Sequence, residues 1–178
     1  MHDVSNIRFE PIVSSHLTLL ADWLERPHWR IWWGEPDTEL GHIRDMVEGR
    51  DTTRPFLFFV NGEPTGYIQY WFIGHHQNAE WTESNPWLAD LPAETIGIDL
   101  SIAEEGHLSR GIGSAVLRAF VEKLVAEGHR QIIIDPDPAN LRAVRAYEKA
   151  GFRRMDIYSG RDGDILLMRY DVSALETA

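Results

Sequence analysis

Chemistry in this chain gathers first in residues 108–120, LSRGIGSAVLRAF. Gly111 and Gly113 stand directly before apolar residues at helical spacing (Ile112, Val116, Ala119, Phe120, Leu124), and they follow an apolar run, residues 96–102, that reads as a strand. A strand, a glycine loop and a helix N-terminus together make an anion site. The glycines admit a close backbone approach, and unpaired N–H groups with the helix dipole favour phosphate. The alternative reading is a helix start with two incidental glycines. Other chemistries find less support. The chain has no cysteine, which excludes disulfides, thiolate metal sites and a cysteine nucleophile. No GxSxG elbow accompanies a serine–histidine–acid set, so hydrolase chemistry has no support. His28, His42, His75, His76, His107 and His129 show no ligand spacing beyond the His75-His76 doublet, whose side chains point to opposite sides if extended; no metal is expected.

The elements that must position this loop follow from periodicity. Residues 7–11 alternate as a first strand, and Ser14 and Ser15 read as caps of an amphipathic helix carrying Leu17, Leu20, Ala21 and Leu24, which Pro27 ends. Trp29, Trp32 and Trp33 precede Gly34, and a second helical pattern runs through Leu40, Ile43, Met46 and Val47 with Thr38 as its cap. Residues 56–60 and 66–73 flank Asn61-Gly62, a strong hairpin signal. Residues 74–94 are polar and irregular, with Pro86, Pro92, Trp81 and Trp87; a loop of that length is often functional. After the strand–loop–helix unit, residues 131–134 form a short buried strand ending in Asp135-Pro136, and residues 140–150 a helix closed by Gly151. Strand, crossover helix and strand imply a parallel pair with right-handed connection. Residues 152–158 and 165–170, joined through SGRDGD, close the chain as a hairpin. The fold class is α/β (α+β), a mixed sheet in a single domain over residues 1–178.

Composition sets bounds on partners. With 178 residues, 43% hydrophobic and 25% charged, the chain is long enough for a sizeable core and ordinary for a globular protein. No apolar run approaches the roughly 20 residues of a membrane span, and the first residues lack a secretory pattern; a cytoplasmic protein without membrane contact is the default expectation. A formal charge of -11 argues against a nucleic-acid surface and suits a cationic ligand.

Two linked motifs, the GIGS turn and DPDPANLRAVRAYEKAGF (residues 135–152), resemble the GNAT superfamily of N-acetyltransferases over about residues 95–170. The resemblance implies a mostly antiparallel sheet flanked by helices, with a central parallel strand pair that splays and receives acetyl-coenzyme A. By that analogy Arg110, Gly111, Ile112, Gly113 and Ser114 cradle the pyrophosphate, and Leu100 and Ile102 offer backbone groups to the pantetheine arm. Asn140 holds a pantetheine amide, and Tyr147 protonates the departing thiolate. Leu108 departs from the superfamily pattern, which carries Gln or Arg there; since the contacts are mostly backbone, altered affinity rather than lost binding is expected.

A narrower resemblance extends over most of the chain, through WLERPHWRIWWG, NGEPTGYIQY, the tryptophan-containing acidic loop, TIGIDLS and the 135–152 motif. It is to aminoglycoside 6′-N-acetyltransferases, enzymes of antibiotic resistance. It implies that Asp99 acts on the amine to be acetylated, because an amine must be neutral to attack a thioester and a carboxylate can take its proton. Asp135 would be a second acid facing the acceptor, Trp33 and Trp81 would stack on sugar rings or cationic amines, and Glu80, Glu83, Asp90 and Glu94 would add negative potential. The expected partner is a cationic small-molecule amine, the expected assembly a monomer or homodimer. Three other readings stay open at this point: a siderophore-pathway acyltransferase, whose histidine in a GIH segment is replaced here by Gly97-Ile98-Asp99; an acetyltransferase of protein amines; and a non-catalytic coenzyme A-binding module.

Overall fold

The computed structural model describes residues 4, 6–161 and 163–174. Among these residues, seven strands form one mixed sheet: β1 (Ile7–Pro11), β2 (Arg54–Val60), β3 (Glu63–Phe72), β4 (Ile96–Ile102), β5 (Ile132–Ile134), β6 (Phe152–Gly160) and β7 (Gly163–Tyr170). Their order is β1-β2-β3-β4-β5-β7-β6, with β4 and β5 parallel and β1–β2, β5–β7 and β6–β7 antiparallel. Among the described residues, six α-helices accompany them: α1 (Leu17–Leu24), α2 (Pro27–Trp33), α3 (Pro36–Val47), α4 (Ala79–Thr82), α5 (Ile112–Ala126) and α6 (Leu141–Ala150). This is the expected mixed, mostly antiparallel sheet with one parallel pair.

Two compact units divide the chain, one running to Gln69 and including Leu100–Leu108, the other comprising Tyr70–Asp99 and the residues from Ser109 on. In the first, Leu20, Trp23, Leu24, Trp29, Ile43, Leu57 and Tyr67 form the core. Trp29 is fully buried, and its indole N–H donates to the Ile102 carbonyl at 2.9 Å, so the largest apolar side chain here leaves no polar atom unpaired. In the second, Ile73, Trp87, Leu88, Ile133 and Leu167 cluster. The apolar stripe of α5 (Ile112, Val116, Leu117, Phe120, Leu124) is buried as its period requires.

Several local expectations are corrected. Ser14 and Ser15 lie in a 3-10 turn, and α1 starts after His16 without a side-chain cap. Pro27 does not merely end α1; it opens α2 at its first position, where its missing N–H has no cost, and Pro36 does the same for α3 in place of a Thr38 cap. The 74–94 segment is not structureless. It holds the 3-10 turn Ile73–His76, the one-turn α4 and a second 3-10 turn, Pro86–Asp90. The Asn61-Gly62 hairpin forms as read, with φ of +52° and +88° at its two central residues. Asp162 of the SGRDGD segment lies outside the described residues.

Candidate active site

The glycine loop is built as an anion seat. Ser109 and Gly111 both take left-handed φ, +62° and +84°, and Gly111 is the N-cap of α5. A side chain at Gly111 would be strained by that φ and would project into open space, with no heavy atom within 4 Å. The first turn of α5 carries no acid, whereas that of α3 carries Asp37 and Glu39. The N–H groups of Ile112, Gly113 and Ser114 therefore sit at a helix start with no carboxylate of its own to answer the dipole. Ser114 turns its hydroxyl inward onto the Gly111 carbonyl at 3.0 Å, which leaves its backbone N–H as its contribution. Arg110 is exposed between the two left-handed residues. A diphosphate fits this set of donors by charge, by open space and by backbone shape.

Downstream, the parallel register pairs Ile96 with Ile132 and Gly97 with Ile133. Beyond Ile134 the chain stays with β7, the Leu166 N–H donating to the Pro136 carbonyl at 2.8 Å. Asp99 and Asp135 each stand two residues past the Gly97–Ile133 pair. Two carboxylates at matching depths on adjacent parallel strands repel one another. The consequence is visible at Asp135. Burial, and secondarily the Asp99 charge, hold its carboxyl well above the usual carboxylate range. Tyr147, half-buried on α6, has its phenol pKa pushed far up by burial and by the charges of Asp99 and then Asp135. Asp99, Asp135 and Tyr147 thus form one electrostatic cluster.

Asn140 is the N-cap of α6, its Oδ1 accepting from the Ala143 N–H at 3.2 Å. The cap reading and the ligand reading coexist, because the cap uses the carbonyl oxygen and leaves the amide N–H₂ as a donor. Leu100 is half-buried on β4. The Ile102 carbonyl accepts from both His28 Nε2 and Trp29 Nε1, each at 2.9 Å, which takes it out of the set available to a ligand. Trp33 stacks on Trp29 at 5.9 Å and meets Tyr67 edge-on at 5.3 Å, so packing accounts for most of its surface. Trp81 is 45% exposed on α4. Glu80, Glu83, Asp90 and Glu94 are all exposed. Among the described residues, no group of three or more His, Asp or Glu is placed to hold a metal ion.

One residue of the cluster escaped the sequence reading. The indole of Trp71 lies against Gly97, where an added Cβ would meet its ring at 2.4 Å. Residues 97 and 99 share a face of β4, so Trp71 lies beside the Asp99 position. A glycine inside a strand often marks such a close approach, and Gly97 was the available signal.

Residues 13–159 match the acetyltransferase (GNAT) domain. The chain belongs to the GNAT acetyltransferase family. This GNAT domain is 33% identical over 167 residues to an aminoglycoside N(6′)-acetyltransferase type 1 of Klebsiella pneumoniae, covering 90% of this chain and 80% of that one. Its backbone superposes on the structure of AAC(6′)-Ib in complex with paromomycin and acetyl-CoA with a TM-score of 0.83, at 30% identity and 97% coverage of both chains. A lysine N-acyltransferase, MbtK of Mycolicibacterium paratuberculosis, is more distant, 24% identical over 76% of this chain and 60% of that one. This GNAT chain is an acyltransferase, and no helix among its described residues is long and apolar enough to cross a membrane.

Proposed function

We propose that this enzyme transfers the acetyl group of acetyl-CoA to the 6′-amine of aminoglycosides, as a single N-acetyltransferase domain over residues 1–178 acting in the cytoplasm as a monomer or homodimer. The observation that carries the reading is the Asp99–Asp135–Tyr147 cluster, standing in a chain whose similar relatives act on aminoglycosides. Two acids that raise each other's cost of ionisation are suited to a ligand that brings positive charge.

Acetyl-CoA, when bound, supplies a thioester that a neutral amine can displace. The α5 N-terminus and Arg110 hold its diphosphate, and the Asn140 amide orients the arm. Asp99 receives the ammonium and takes its proton, directly or through water, which frees the nitrogen lone pair. Backbone N–H groups of β4 polarise the carbonyl as the C–N bond forms and the C–S bond breaks. Tyr147 delivers its proton to the leaving sulfur. Its raised pKa keeps the phenol protonated until that moment, and the arriving cation offsets the two carboxylates that raised it, easing the transfer. Asp135 adds a second carboxylate and Trp81 an indole face for the cationic sugar. Asp99 in place of a histidine favours a cationic amine over a hydroxamate precursor.

The test is a panel of 6′-amino and 6′-hydroxy aminoglycosides assayed by thiol release. Turnover confined to the 6′-amino compounds is expected. Absence of turnover with every 6′-amino compound overturns the reading.

A further inference from the structure

Trp81 is an exposed indole on a helix of one turn, Ala79–Thr82, which is far too short to hold itself. Two features fix it. Asn78 caps α4, its Oδ1 accepting from the Trp81 N–H at 3.3 Å. The second is His76, whose imidazole meets the Trp81 ring edge-to-face, centroids 4.9 Å apart and planes at 75°. The same imidazole also meets the Trp71 ring edge-to-face, at 5.1 Å and 80°. His76 is itself held, its Nδ1–H donating to the Phe72 carbonyl at 2.8 Å. The three rings thus form a chain from the face of β4 outward: Gly97, the Trp71 indole against it, the His76 imidazole, the Trp81 indole.

We propose that His76 is a positioning residue for the acceptor: in edge-to-face contact with two indoles and tied to the Phe72 backbone, it holds the Trp81 ring toward the Asp99 face of β4, where the ring can cover a cationic amino sugar. The inference rests on the acceptor reading given above. Its physical content is that an exposed indole binds cations and sugar faces well only if its orientation is settled before the ligand arrives. The contact depends on ring shape, since each neighbour touches an aromatic edge or face. The Nδ1–H bond sets where the ring stands.

Two substitutions separate these parts. His76→Asn keeps a donor near the Nδ1 position and removes the ring; His76→Phe keeps a ring and removes the donor. Edge-to-face pairs contribute enough for roughly a three- to tenfold effect on binding. For His76→Asn we expect acceptor KM to rise by about that factor, with kcat and acetyl-CoA KM within about twofold of wild type. His76→Phe recovers most of the acceptor KM. In parallel, acrylamide quenching of tryptophan emission, compared with and without Trp81→Phe, reports the Trp81 ring alone; its quenching rises in His76→Asn and stays near wild type in His76→Phe. Unchanged Trp81 quenching in His76→Asn overturns the proposal. So does a wild-type acceptor KM, or an equal loss of kcat, both KM values and thermal stability in both variants. If the wild-type enzyme acetylates no amine, the acceptor reading fails by itself, and the quenching comparison still decides whether His76 clamps Trp81.

Discussion

Asp135 stands where its charge is disfavoured twice, by burial and by Asp99. Its folded pKa is raised above the unfolded value, so the native state binds a proton more tightly than the unfolded chain. The stability this provides is complete below the ordinary aspartate pKa and is lost as pH rises through the folded value. Asp135→Asn removes that pH-dependent loss. Thermal melts should find the variant more stable than wild type at neutral pH, with the advantage shrinking as pH falls toward about 4; a pH-independent difference would place the effect elsewhere. The same linkage means that a bound ammonium favours the ionised form of Asp135 and expels a proton on binding. In the proposed mechanism Asp99 and Tyr147 have different work, moving protons during the reaction. Asp99→Asn and Tyr147→Phe should each lower kcat by roughly 10²-fold or more, the usual range for a positioned acid or base. Coenzyme A binding measured calorimetrically should be retained, and near-normal turnover in both would remove these assignments.

At the scale of elements, the loop before α5 is the piece whose geometry is most demanding. Gly111 has φ of +84° and open space where a side chain would go. Gly111→Ala should cost about 1–2 kcal/mol from the left-handed backbone alone, seen as a Tm lower by several degrees. The methyl group also points into the space where a diphosphate would sit, so acetyl-CoA KM should rise by roughly tenfold while acceptor KM stays put. Equal changes in both constants would mean the loop serves folding and not the donor. This loop was legible in the sequence because glycines before an apolar 3.6 period have a local meaning, and the same holds for Asn140 and Gly151 at the ends of α6. Pro27 reads from sequence as a stop when it is a start, since a proline suits either side of a helix boundary, and Pro36 opens α3 where the sequence offers Thr38 as the cap. The contacts of Trp71 and His76 were far less legible. Their roles arise from contacts made in the fold: Trp71 against a glycine 26 positions later, and His76 between rings five residues away on either side. No periodicity marks such a contact, and only the glycine within β4 hinted at it.

For the whole molecule, the governing quantity is the net charge of -11. The proposed reaction brings together two substrates of opposite sign, a polycationic sugar and a polyanionic thioester. A strongly acidic protein attracts the first and repels the second at long range, whatever the local contacts do. Near physiological ionic strength the screening length is about 8 Å, so much of this field is already attenuated and more is lost as salt is raised. Raising ionic strength from about 0.05 to 0.5 M should therefore lower kcat/KM for the aminoglycoside several-fold, as steering is screened. For acetyl-CoA the long-range term has the opposite sign. Screening removes a repulsion there while weakening the short-range pull of Arg110 and the α5 N-terminus, so its kcat/KM should stay flat or rise. The two slopes, measured with each substrate varied against saturating amounts of the other, should differ in sign or at least strongly in size. Parallel declines for both would show that the distributed acids, including Glu80, Glu83, Asp90 and Glu94, serve solubility alone and that selection of a cationic acceptor resides wholly in contacts at Asp99 and Asp135.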